Sequence, residues 1–319
     1  MMEKQLNSKS MKVRKRLLFV VCGLWLVVFT AQAAMVWEKR FEIRNSKFER
    51  KDNPISNVQP QAFSNPKSQL STQTDSGFIL IKTIPIEAKD IQTDRLGNLY
   101  IVSKTNQLYK YGANGKLLST LNYKYLGNIT HVDATNPMEI YVFYKELNLV
   151  VFLDNNLAYR GEMKLGDYGI GQAAAICRSF DNGIWVFDLG DLQLKKMDKN
   201  GENLQTTGNI RQYATQPSAV LFLYDNNEKV FVNDSANGVL MFNIFGTYAK
   251  TLPIKGCTEI KVINDEVYYW QSFQLKKYRL KSFDIQVFTL PDATEIRDVS
   301  IEKDRVYLLK SAEVSIYGF

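Results

Sequence analysis

Residues 94–118 read DRLGNLYIVSKTNQLYKYGANGKLL. Two runs that suit strands, LYIVS (99–103) and LYKY (108–111), are separated by the polar turn KTNQ. DRLGN precedes them and GANGK follows. Asn, Asp and Gly cluster in the flanking turns because tight hairpins need residues that tolerate positive φ. The stretch therefore predicts two antiparallel strands with their turns. None of its side chains suggests a reaction.

Working outward, the same layout recurs. Leu99-Tyr100, Ile140-Tyr141, Ile184-Trp185, Val230-Phe231, Val267-Tyr268 and Val306-Tyr307 stand at equivalent positions, 41, 44, 46, 37 and 39 residues apart. The turns ahead of them read DRLGN, TNPME, FDNG, DNNEK, NDE and EKDR, and DKNGE repeats the later turn in the third unit. A recurrence near 40 residues with four strands per unit is the pattern of a β-propeller, whose blades bury their faces only by stacking on one another. Residues 298–319 supply three strands, and GFILIKTIPI (77–86) supplies one strand ahead of the first full unit. Together they predict an all-β, six-bladed ring over residues 78–319, closed where strand 78–86 joins the C-terminal blade. A two-sheet sandwich would need neither the regular recurrence nor a blade shared between the ends.

The phrase from Asp94 to Val102, D-x-x-G-N-L-Y-I-V, followed by LYKYGANGKLL, resembles the repeat of extracytoplasmic six-bladed propellers of the NHL and TolB-like kind. It is clear in units one and three. Unit two has Pro137-Met138 in place of the turn glycine, and units four to six lack that glycine. The resemblance implies the fold and an extracytoplasmic setting. It implies no single activity, because such propellers serve as binding modules, assembly scaffolds and enzymes. Some of those enzymes hold a metal at the axis with carboxylates and amides; no cofactor or metal site is expected here, and calcium is the one the resemblance leaves open.

The net charge of +7 suggests an anionic partner until its placement is considered. Residues 1–33 carry six basic residues and one acid, and without them the net is +2. A nucleic-acid partner is therefore not expected. That segment has a basic stretch ending at Arg16, an uncharged run and the small-residue pattern Ala31-Gln32-Ala33, the order of a secretory signal peptide. The 21 uncharged residues 17–37 would equally suit a retained membrane anchor. Either way the remainder is extracytoplasmic, in the periplasm or cell envelope. Residues 34–77 mix charges with Ser, Asn, Gln and Pro and read as a flexible tether. Cys177 and Cys257 fall in non-adjacent units and are expected as unpaired, buried thiols.

His131 is the only histidine. A general base in the central channel and a polar inner-strand side chain are its two readings. No G-x-S-x-G elbow is present, and one histidine with two separated cysteines leaves no usual zinc set. GDYGIG (166–171) lacks the phosphate-loop ending and reads as the connection into the third blade. The first strands bring Asp90, Asn128, His131, Arg178, Glu259 and Asp298 toward the axis as candidate polar groups. Loops between second and third strands and between blades carry Tyr125, Tyr144, Tyr168, Arg211, Tyr213, Trp270 and Phe273, residue types that make binding hot spots. The expectation is an exported, non-catalytic scaffold that binds a protein, peptide or glycan. Its alternative is a hydrolase or lyase with an axial site, with or without calcium.

Overall fold

The computed structural model describes residues 77–214, 219–226, 228–292 and 294–319. Residues 1–33 and nearly all of the 34–77 tether lie outside the described residues, as does the uncharged 17–37 run. No helix among the described residues is long and apolar enough to cross a membrane.

Strand β1 (Ile79–Ile84) comes first, and the chain then lays down blades in order. Blade one holds β2 (Ala88–Thr93), β3 (Leu99–Ser103), β4 (Leu108–Tyr111) and β5 (Leu117–Leu121). Blade two is β6 (His131–Asp133), β7 (Glu139–Tyr144), β8 (Leu149–Asp154) and β9 (Tyr159–Lys164). Blade three is β10 (Ala173–Arg178), β11 (Ile184–Asp188), β12 (Gln193–Met197) and β13 (Asn203–Thr206). Blade four contains β14 (Val220–Asp225), β15 (Lys229–Asp234), β16 (Gly238–Asn243) and β17 (Tyr248–Leu252). Blade five has β18 (Ile260–Ile263), β19 (Glu266–Gln271), β20 (Gln274–Arg279) and β21 (Ile285–Phe288). Blade six combines β22 (Asp298–Ile301), β23 (Arg305–Leu309) and β24 (Val314–Gly318) with β1. All six are antiparallel four-stranded sheets, and the protein is a six-bladed β-propeller. In blade six, β1 pairs with β24 from Ile79 opposite Gly318 to Ile84 opposite Val314.

Burial follows position within a blade. Second strands such as β3 (LYIVS) and β11 (IWVFD) are buried along their whole length, because neighbouring blades cover both faces. They read as continuous apolar runs for that reason. Fourth strands face solvent, and β5 and β13 are mostly exposed. The core is a set of wedges between adjacent blades. One joins Tyr100 and Val102 of blade one to Val142 and Tyr144 of blade two. The closing wedge packs Ile91, Leu99 and Ile101 of blade one on Ile84, Tyr307 and Val314 of blade six. Cys177 lies in the wedge of blades three and four, Cys257 in that of blades four and five, both buried and free.

Turn chemistry repeats as well. Asp94 Oδ1 accepts from the backbone N–H of Leu96 and Asn98, and Gly97 takes φ 77°. Asp154, Asp198 and Asn243 each cap a turn with the same pair of bonds. Blade two has Leu157 at the position where the other turns have glycine, held at φ 62° by burial of its side chain. A bulge between Ala88 and Asp90 interrupts the alternation of β2. Ala88 and Ile91 consequently share the packed wedge, while Asp90 and Gln92 are left on the polar side.

Candidate axial site

First strands in a propeller run in the same sense around the axis, so their opening residues share one mouth of the channel. Asp90 sits beyond the bulge of β2, His131 opens β6, Glu259 immediately precedes β18, and Asp298 opens β22. The first three bring a ring nitrogen and two carboxylate oxygens to within 4.8 Å of one another. His131 Nδ1 lies 3.9 Å from Glu259 Oε1. Gln92 donates its amide to Glu259 Oε2, leaving Oε1 toward the imidazole. Phe222 packs edge-on against the His131 ring at 4.9 Å.

Electrostatics set this cluster apart. Burial, then the charge of Asp298, pushes the Asp90 carboxyl up to about 7. Burial raises Asp298 to about 6. Glu259 is driven well above the usual carboxylate range by burial and by Asp90 and Asp298. Burial lowers His131 to about 4, so the imidazole is neutral at physiological pH. The cavity beside these groups, lined by Gln92, His131, Glu259, Asp298 and Trp270 among others, has a volume of about 30 Å³. That is room for one or two waters, or one ion.

Further along the axis the polar groups are paired. Lys261 Nζ lies 2.6 Å from Glu302 Oε1 and donates to the Thr93 carbonyl at 3.0 Å. Thr93 Oγ1 donates to Glu302 Oε1 at 2.8 Å and meets Ser300 Oγ at 2.9 Å. Burial opposes the Lys261 charge, but Tyr224 and Glu302 outweigh it and hold the ammonium above its ordinary range. Toward the opposite mouth, a cavity of about 410 Å³ is lined by Arg95, Thr135, Asn136, Arg178, Phe180, Tyr224 and Asp225 among others.

Of the six axial candidates, the structure unites Asp90, His131, Glu259 and Asp298. Arg178 ends β10 at the opposite mouth, bonded to Asn182 and the Ser179 carbonyl, with Nε 3.7 Å from Glu139 Oε2. Asn128 is a correction. It is exposed in the loop before β6, because that strand begins only at His131. Gln92 was missed, although its place two residues after Asp90 on the same strand marks it as a neighbour. The Thr93–Lys261–Glu302 knot was missed because its members come from three blades.

The loop residues divide similarly. Tyr125 and Phe273 are 78% and 85% exposed, and Tyr168 and Arg211 are also exposed. Tyr213 is half-buried and stacks on Tyr248 at 3.9 Å between ring centres. Trp270 is half-buried beside the axial cavity. Tyr144 is a correction, since it ends β7 inside the wedge of blades one and two and is a core side chain. Several loops are clamped to the connection into the next blade. Asn106 bonds the Gly127 carbonyl and the Ile129 N–H. Asn148 bonds the Ile170 carbonyl and the Ala173 N–H across the GDYGIG connection. Asn209 donates to the Asp191 carbonyl.

No protein-family model matches the chain, and no curated protein sequence is similar to it. Solved structures do share the fold. A streptogramin B lyase superposes with TM-score 0.54 at 13% identity, covering 76% of this chain and 97% of its own. Virginiamycin B lyase from Staphylococcus aureus gives 0.54 at 11% identity, covering 76% and 99%. The Cps50 (Swd1) propeller of Myceliophteria thermophila gives 0.53 at 8% identity, covering 76% and 99%. At these identities the likeness is one of fold.

Proposed function

We propose that this protein is a non-catalytic binding propeller of the cell envelope, of the NHL or TolB-like kind, that holds a protein, peptide or glycan partner against its loop face. The observation that carries this reading is the size of the axial cavity. At about 30 Å³, the space beside the chemically capable side chains cannot seat an organic substrate. The loop face, in contrast, offers exposed aromatic tips at Tyr125, Tyr168 and Phe273 on loops several of which are pinned to their neighbours. Rigid aromatic groups lose little conformational entropy on binding and are favoured at hot spots. The N-terminal segment supports an extracytoplasmic setting, with membrane proximity if residues 17–37 are retained.

Affinity capture of the tagged full chain from mildly solubilised native membranes tests the proposal. A stoichiometric partner should be recovered with the native chain and lost from a Tyr125→Ala, Tyr168→Ala, Phe273→Ala triple variant. Undiminished recovery of that partner with the triple variant would overturn the loop-face assignment.

A second reading is an enzyme acting at the axis, favoured by the neutral imidazole of His131 between two carboxylates. The lyases that share the fold make hydrolase or lyase chemistry its natural form. It requires the channel to widen around His131. Crystals soaked with small ligands that show density reaching His131 would favour it over the scaffold.

A further inference from the structure

We propose that Asp90, His131 and Glu259, with Asp298 beside them, form a binding site for one divalent transition-metal ion of the zinc class. Two independent observations lead there. The first is geometric: one ring nitrogen and two carboxylate oxygens from three different blades lie within 4.8 Å of one another beside a cavity of ion size. Donors sharing an ion at bond lengths of about 2.0–2.2 Å stand roughly 3–3.5 Å apart, so a small contraction completes the set. The second is the lack of a direct cation contact. None of Asp90, Glu259 and Asp298 forms an ion pair with Lys or Arg among the described residues. Lys89, Lys261 and Arg297 act on these carboxyls only at a distance, their direct contacts being to Asn106, Glu302 and the Ala88 carbonyl.

His131 reinforces the point. Its side chain is 12% exposed, and neither ring nitrogen has a hydrogen-bond partner among the described residues. Its Nδ1 faces Glu259 Oε1 at 3.9 Å, so the nitrogen that would coordinate the ion is already aimed into the cluster. Gln92 would act as a positioning residue, fixing the rotation of the Glu259 carboxylate.

The donor set selects the ion class. Calcium takes six to eight oxygens and gains nothing from imidazole, whereas one nitrogen with two or three carboxylate oxygens suits zinc or a similar ion. The usual sequence signature was absent because carboxylates here stand in for the missing thiolates and second histidine. The proposal is independent of partner binding, and its test uses no partner.

The full chain in mild detergent, treated with chelator and dialysed, is titrated calorimetrically with Zn²⁺ and, separately, with Ca²⁺. Co²⁺ serves as a spectroscopic probe. The expected result is one Zn²⁺ per chain, Ca²⁺ at least tenfold weaker, and a visible Co²⁺ absorption band that His131→Ala abolishes. Asp90→Asn and Glu259→Gln, which keep shape, should each weaken Zn²⁺ at least tenfold while retaining the native circular dichroism spectrum. Absence of Zn²⁺ binding by the native chain, unchanged binding by both isosteric variants, or tighter Ca²⁺ than Zn²⁺ would each overturn the assignment. The two isosteric variants decide the matter even if His131→Ala fails to fold.

Discussion

Asp94 shows how much a single side chain does in this fold. It is fully buried, accepts two backbone N–H bonds through Oδ1, and takes the Asn98 amide and the Tyr100 hydroxyl on Oδ2. Asp94→Ala strands those donors and should lower unfolding free energy in urea by roughly 2–3 kcal/mol, with Asp94→Asn losing less. An unchanged urea midpoint for the alanine variant would refute that. Tyr144 is the opposite case. Its hydroxyl is buried without a hydrogen-bond partner among the described residues. Tyr144→Phe should therefore leave stability unchanged or raise it by about 1 kcal/mol, measurable in the same titration. Asp94 could be read from DRLGN, since a turn acid followed by glycine states its own bonds. Tyr144 could not, because a strand-end tyrosine looks the same in sequence whether the next blade covers it or solvent does.

At the scale of elements, the axis is where strands from different blades meet. Lys261 of β18, Glu302 just beyond β22 and Thr93 at the end of β2 join blades five, six and one. The two charged side chains are 17% and 9% exposed, so removing one leaves the other buried and uncompensated. Lys261→Ala should cost roughly 3–5 kcal/mol, whereas the paired Lys261→Met, Glu302→Leu variant should cost far less. A double-mutant cycle in urea checks this, and additive losses would contradict it. The bulge in β2 belongs to this scale too. It turns Asp90 off the packed face, and no feature of AKDIQT announces it. Strand identity was legible from apolar runs bounded by turn residues. Local register shifts were not, because they depend on what lies across the ladder.

For the molecule as a whole, each wedge core needs both of its blades, so the ring is stable only when closed. Deleting residues up to Ile84 removes the outer strand of blade six and part of the closing wedge. That variant should lose the single cooperative unfolding transition and associate through its exposed β24 edge, observable by calorimetry and light scattering. A monomer with the native melting profile would rule this out. The pH response is also a property of the assembled axis. Asp90, Asp298 and Glu259 are raised, so between about pH 4 and 7 the folded state binds more protons than the unfolded chain, and stability falls as pH rises. His131 is lowered and contributes the reverse slope between about pH 4 and 6.5, after which only the carboxylates act. In chelator-treated protein the urea midpoint should fall above pH 6.5, and Asp90→Asn should flatten that fall. A profile the substitution leaves untouched would remove Asp90 from the account.

The sequence by itself determined the number of blades, the order of strands within each and the turns joining them, because these follow from local alternation, turn residues and a period near 40. The lone strand read in GFILIKTIPI is where the structure has β1, which pairs with β24 in the last blade. Only the tertiary structure decided which polar residues share a place. Asp90, His131 and Glu259 are separated by 41 and 128 positions, and no local rule links them. Ring closure, the bulge in β2 and the start of β6 bring them together and leave Asn128 outside. Burial then shifts their proton affinities, an effect of the surrounding wedges that no single strand carries.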